Sequence, residues 1–172
     1  IAGNGGVGVV VSSYWGSDLI LQDCIIEHNA SGIQLSREHN GDDFWNYEIT
    51  RCTVVSNDGF GIYKTDNIPL LLNNCVVALN QASGIDISTL AGVTAYCNDS
   101  YGNIAGDWVN AAGALSGMDG NFSADPLFCD PTHRDYTISE DSPCAPGNHP
   151  DGADCGLIGA LGVGCAGPVG VE

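Results

Sequence analysis

Three segments of the chain carry the same marks in the same order. In DCIIEHNASGIQLS (23–36), RCTVVSNDGFGIYKT (51–65) and NNCVVALNQASGIDIS (73–88), a cysteine (Cys24, Cys52, Cys75) precedes an asparagine (Asn29, Asn57, Asn80) by five residues. Gly-Ile follows each asparagine within three or four residues. Partial copies flank them: Asn4 lies four residues before Gly8, with Val9 in the isoleucine slot, and GVTAYCNDSYGN offers Cys97 followed by Asn103. The cysteines are 28, 23 and 22 residues apart. Recurrence at this interval describes a solenoid, in which each unit buries its apolar face only by stacking on its neighbours.

The unit has strand chemistry. LILQD, YEITR and LLLNN precede the cysteines, and IIE, TVV and VVA follow them, rich in β-branched residues and alternating with period two. Taking alternate residues inward gives columns of Leu19, Tyr47 and Leu70, of Leu21, Ile49 and Leu72, of the cysteines, and of Ile26, Val54 and Val77. No long segment carries a helical stripe. Three strands and three turns fit in about 22 residues, one rung of a parallel β-helix whose equivalent residues stack roughly 4.8 Å apart. The asparagines fall at the bend between second and third strands, where Asn tolerates the left-handed conformation and its amide can bond to the same group one rung away. Gly then supplies an awkward backbone position. Lys64 falls in the core column with Leu35 and Ile87, and a local bulge is expected to turn it outward, towards Arg37 or Asp66.

On these residues the chain resembles bacterial right-handed parallel β-helix repeat proteins, an architecture also used by pectate lyases. GNFSADPLFCDPTHRDYTISEDSPCAPG (120–147) and CGLIGALGVGC (155–165) look like the segment that closes many secreted or surface-anchored members. The resemblance implies an all-β fold, a right-handed single-stranded parallel β-helix of about five rungs. Residues 1–105 would form the rungs and residues 106–172 a loop-rich, disulfide-rich C-terminal cap, with Trp108, Val109 and Leu115 facing inward across the base. It implies little about activity, because one scaffold hosts many functions.

Four Lys/Arg against 21 Asp/Glu give a formal charge of −17. That argues against nucleic acid and anionic membrane as partners and weakens the case for polyanionic substrates. No segment approaches the ~20 apolar residues of a membrane span. Of eight cysteines, Cys24, Cys52, Cys75 and Cys97 read as a reduced or partly paired core column. Cys129, Cys144, Cys155 and Cys165 lie in a Pro/Gly-rich tail with little core of its own, where cross-links are most useful. Three pairings of those four are open. A zinc site there has only His133 and His149 to draw on and no CxxC spacing. An extracellular location, secreted or at the cell surface, is expected.

Function on such a scaffold sits in the loops between rungs. SSYWGSD and SREHNGDDFWN should leave the same edge one rung apart, bringing together Tyr14, Trp15, Arg37, His39, Phe44 and Trp45. Aromatic residues among amides and carboxylates suit the stacking of sugar rings. Asp18, Asp42 and Asp43 offer oxygen ligands for Ca²⁺. Asp86 is a candidate acid, but the register places no second carboxylate beside it. His28 at a turn has no nucleophile partner. The chain opens inside a rung at Ile1, so its first strands are expected to offer unpaired edges to upstream rungs or a neighbouring protomer. The expected function is a non-catalytic extracellular or cell-surface module for structure, assembly or glycan adhesion. The alternative is the C-terminal part of a β-helix polysaccharide lyase or glycoside hydrolase.

Overall fold

The computed structural model describes residues 1–13, 18–37 and 46–167. The platform residues Tyr14, Trp15, His39, Phe44 and Trp45, and the acidic pair Asp42 and Asp43, lie outside them. The repeated unit folds as three short strands separated by bends. β1 (Val7–Ser13) leads into β2 (Leu19–Gln22), β3 (Ile25–Glu27) and β4 (Ser31–Arg37). The same course recurs as β5 (Tyr47–Thr50), β6 (Thr53–Val55) and β7 (Ile62–Lys64), then as β8 (Leu70–Asn73), β9 (Val76–Ala78) and β10 (Ile85–Ile87). It recurs once more as β11 (Val93–Tyr96), β12 (Asp99–Tyr101) and β13 (Trp108–Asn110). Like strands pair in parallel, giving sheets β1-β4-β7-β10-β13, β2-β5-β8-β11 and β3-β6-β9-β12.

Register makes the columns. Leu19, Tyr47, Leu70 and Val93 stack, as do Leu21, Ile49, Leu72 and Ala95. Val9, Ile33, Ile62, Ile85 and Trp108 form another file. These side chains, with Ile26, Val54, Val77, Cys52 and Cys75, are the core. Val109 pairs beside Asp86 on the outward face, whereas Trp108 and Leu115 pack against the core.

Asparagine ties the bends together. The Asn57 carboxamide oxygen accepts from the Asn29 backbone N–H at 3.0 Å and its side-chain amide at 3.2 Å; Asn80 repeats this for Asn57, and Asn103 for Asn80. The left-handed conformation falls one residue earlier than expected, on His28, Ser56, Leu79 and Gly102. The asparagines follow with their side chains turned inward and fully bonded. The glycines after them serve close approach rather than positive φ: a Cβ on Gly32 would strike the Gly61 carbonyl oxygen.

Two sequence expectations fail on register. Cys97 does not continue the cysteine column. It occupies the preceding bend position with Asp23, Arg51 and Asn74, all at positive φ, and Asn98 takes the column slot. There the Asn98 oxygen receives the Cys75 N–H at 2.9 Å, and Asn121 continues a second ladder below it. Lys64 makes no bulge. It pairs in register with Leu35 and Ile87 and is fully buried, its Nζ bonded to the Asp66 carbonyl at 2.6 Å and carboxylate at 2.8 Å. Asp66 also receives the Tyr47 hydroxyl and the Ile68 N–H. A short turn folds the partner back over the ammonium, which removes the need for an outward kink.

After the last coil, β14 (Phe128–Asp130), β15 (Asp135–Ser139) and β16 (Val163–Cys165) form a small mixed sheet. This segment lies against the outer face of β9 and β12. Val76, Ala78, Phe122, Ile138, Cys144, Ala145 and Ile158 make a second, smaller core. Disulfides join Cys97 to Cys155 and Cys129 to Cys165. Cys144, expected to be cross-linked, is a buried thiol whose sulfur lies 3.4 Å from an Asp99 carboxylate oxygen. Its place in the expected set is taken by Cys97, which tethers the segment to the coil.

Candidate binding groove at the loop edge

Ser13 pairs with Arg37 and Leu19 with Tyr47, so the residues on either side of 14–17 are in register with those on either side of 38–45. Their stems are fastened to each other: Asp18 accepts the Asn46 N–H at 2.9 Å, and the Leu19 N–H reaches the Asn46 carbonyl at 3.1 Å. One Asp18 oxygen thus fastens the two stems together. Among the described residues no group of three or more His, Cys, Asp or Glu side chains is placed to hold a metal ion. One rung on, the buried Lys64–Asp66–Tyr47 cluster sets the equivalent turn.

Directly beside these stems the β2-β5-β8-β11 sheet presents its outer face. Ile20, Glu48, Leu71 and Thr94 stand in one file. A groove of about 470 Å³ is lined by Asn46, Tyr47, Glu48, Pro69, Leu70, Leu71, Gly92 and Thr94. A second depression of about 410 Å³ adds Tyr96, Leu115 and Asp119 and shares Thr94 with the first. Together they make a shelf along the coil axis, roughly 14 Å over three rung spacings. Its floor alternates aliphatic carbon with a few amide, hydroxyl and carboxylate oxygens.

Among the described residues no pair of carboxyl groups faces this groove. Glu48 has Ile20 and Leu71 as its register neighbours. Asp86 lies on another sheet between Tyr63 and Val109, and Asn110 Nδ2 donates to it at 2.6 Å. The most perturbed carboxyl, Asp99, is pushed up to about 7 by burial, yet it is sealed beneath the C-terminal segment against Cys144 and the Ala124 N–H. His28 bonds Glu27 at 3.1 Å, and Arg134 clamps the same carboxylate. Of the residues considered for zinc, His133 bonds Asp130 at 2.7 Å, His149 bonds the Gly120 carbonyl at 2.9 Å, and Cys129, Cys155 and Cys165 are spent in disulfides. The burial of the Lys64–Asp66 pair with Tyr47 and the Asp99–Cys144 pair were not expected from the sequence. An ionisable residue in an apolar column was the available signal for the first; the second, in a segment with no repeat, had none.

Three parallel sheets wound around an asparagine-laddered core define a β-solenoid. The chain matches the family described as "Right handed beta helix region" over residues 1–100, and it belongs to that family. No curated protein and no solved structure matches it. The two disulfides fit an oxidising environment. Among the described residues no helix is long and apolar enough to cross a membrane.

Proposed function

We propose that the chain is a non-catalytic module of a secreted or cell-surface protein, and that its shelf and bordering loops bind a polysaccharide. The observation that carries this is the open groove lined by Asn46 and Tyr47, the residues that follow directly on the segment containing Phe44 and Trp45, with Tyr14 and Trp15 in the corresponding segment one rung earlier in the sequence. Apolar carbon and scattered polar atoms on a flat floor suit the face of a sugar ring, and aromatic loops suit its stacking. Arg37, at the end of β4, and His39, two residues on, would add hydrogen-bond donors. A formal charge of −17 favours neutral glycans over polyanions. Ca²⁺ held by Asp18, Asp42 and Asp43 would be an accessory to that site. Among the described residues β1 and β2 are end strands of their sheets, which supports a second role in this reading, the stacking of further β-helical rungs from its own protein or a neighbouring one.

The test is a neutral-glycan array followed by sizing of the bound glycan. Binding without a change in glycan size is expected, and replacing Trp15 and Trp45 by Ala should weaken it by about tenfold or more. No binding, or unchanged affinity in that variant, removes the sugar platform. Release of unsaturated or reducing ends would replace this reading with a polysaccharide lyase or glycoside hydrolase.

A further inference from the structure

Cys24, Cys52, Cys75 and Cys144 remain free thiols, and three of them form a file. Cys24, Cys52 and Cys75 follow β2, β5 and β8 at the same bend. Backbone bonds of 2.9 Å from Thr53 to Cys24 and from Val76 to Cys52 lock them in register. The Cys52 thiol donates to the Thr50 carbonyl at 3.4 Å, and the Cys75 thiol to the Ile49 carbonyl at 3.4 Å, so both side chains lie on the same face of the bend. Access is graded: Cys24 is partly exposed on the first turn, whereas Cys52 and Cys75 are fully buried. Cys144 is also buried and faces a carboxylate instead of a thiol.

Equivalent residues on adjacent parallel strands lie roughly 4.8 Å apart, inside the Cα window of about 4.4–6.8 Å that a disulfide needs. We propose that Cys24 and Cys52 are a redox site that a small disulfide oxidant closes into a rung-to-rung cross-link, Cys24 being the entry thiol and Cys52 the resolving one. The Cys24 thiolate attacks one oxidant sulfur; the oxidant S–S bond breaks, and the departing thiolate takes up a proton. Cys52 then attacks the Cys24 sulfur of the mixed disulfide and expels the second small thiol. Two protein S–H groups and one oxidant disulfide thus become one protein disulfide and two small thiols. The third cysteine assists: hydrogen bonding from Cys75 draws the Cys52 pKa down, while burial holds Cys75 itself protonated. Burial pushes Cys24 up, so entry accelerates as pH rises.

The folded chain is treated with 5,5′-dithiobis(2-nitrobenzoate), following released thiolate by absorbance and the product by intact mass. Two equivalents of thiolate are expected, with a protein lighter by two hydrogens, carrying no adduct, and cross-linked between Cys24 and Cys52 in a peptide map. Cys52→Ala should release one equivalent and keep an aromatic adduct on Cys24; Cys24→Ala should release none. A wild-type product that retains an adduct, or that does not react, overturns the proposal, and this outcome is read without any variant.

Discussion

The coil from Leu19 to Asn110 and the segment from Phe128 to Cys165 are held by opposite means. The coil repeats one solution: side chains stack on copies of themselves, buried amides bond to the next rung, and none of its strand residues is cross-linked. The C-terminal segment repeats nothing. It has a small core borrowed from the outer face of β9 and β12, two disulfides, and a bidentate Arg134–Glu27 pair. Repetition spreads stability over many equal contacts, whereas the single-copy segment concentrates it in a few bonds.

If that contrast is right, the largest loss comes from a coil position that breaks the pattern. Lys64→Met leaves Asp66 buried without its cation and should cost about 3–5 kcal/mol in urea unfolding. A loss below about 1 kcal/mol would mean the column tolerates Asp66 alone. Asp99 tests the boundary between the regions. Its folded pKa of about 7 lies above the unfolded carboxylate value near 3.9, so the folded state binds the proton more tightly. The stabilisation is complete below about pH 4 and falls as pH rises towards 7, by up to about 4 kcal/mol. Asp99→Asn should flatten that fall; an unchanged pH profile would assign it to other groups. Replacing Cys129 and Cys165 by Ala should cost about 2–4 kcal/mol. Faster amide exchange should stay confined to residues 128–165; equal loss in the coil strands would erase the distinction. Arg51→Ala removes a solvent-exposed pair with Asp23, and no measurable shift in unfolding midpoint is expected.

What could be read from the sequence followed the same division. The asparagine ladder, the inward columns and the parallel course were visible because each appears several times, and every copy checks the others. Even there, the cysteine at 97 was misplaced by one position. The interval from Cys75 to Cys97 is 22 residues, where Asn57 to Asn80 is 23, and that slip was the sign that Cys97 had moved to the bend. Lys64 was assigned to the right column but turned outward, because alternation describes where a side chain points and not whether a nearby turn brings it a counter-ion. In the tail, the partner of Cys155 could not be found among tail cysteines because it lies in the coil. The groove is a property of the outer sheet face, where the pattern leaves side chains free to vary.

The ladders have a consequence for how the chain can be produced. Asn29-Ala30-Ser31, Asn98-Asp99-Ser100 and Asn121-Phe122-Ser123 are acceptor tripeptides for N-linked oligosaccharide transfer. All three asparagines are fully buried, with their amides committed to neighbouring turns. Once wound, the chain hides them from any transferase, and an oligosaccharide attached during synthesis would prevent the turns from closing. A eukaryotic secretory host would therefore set modification against winding, while a cell lacking that machinery leaves the tripeptides free to fold.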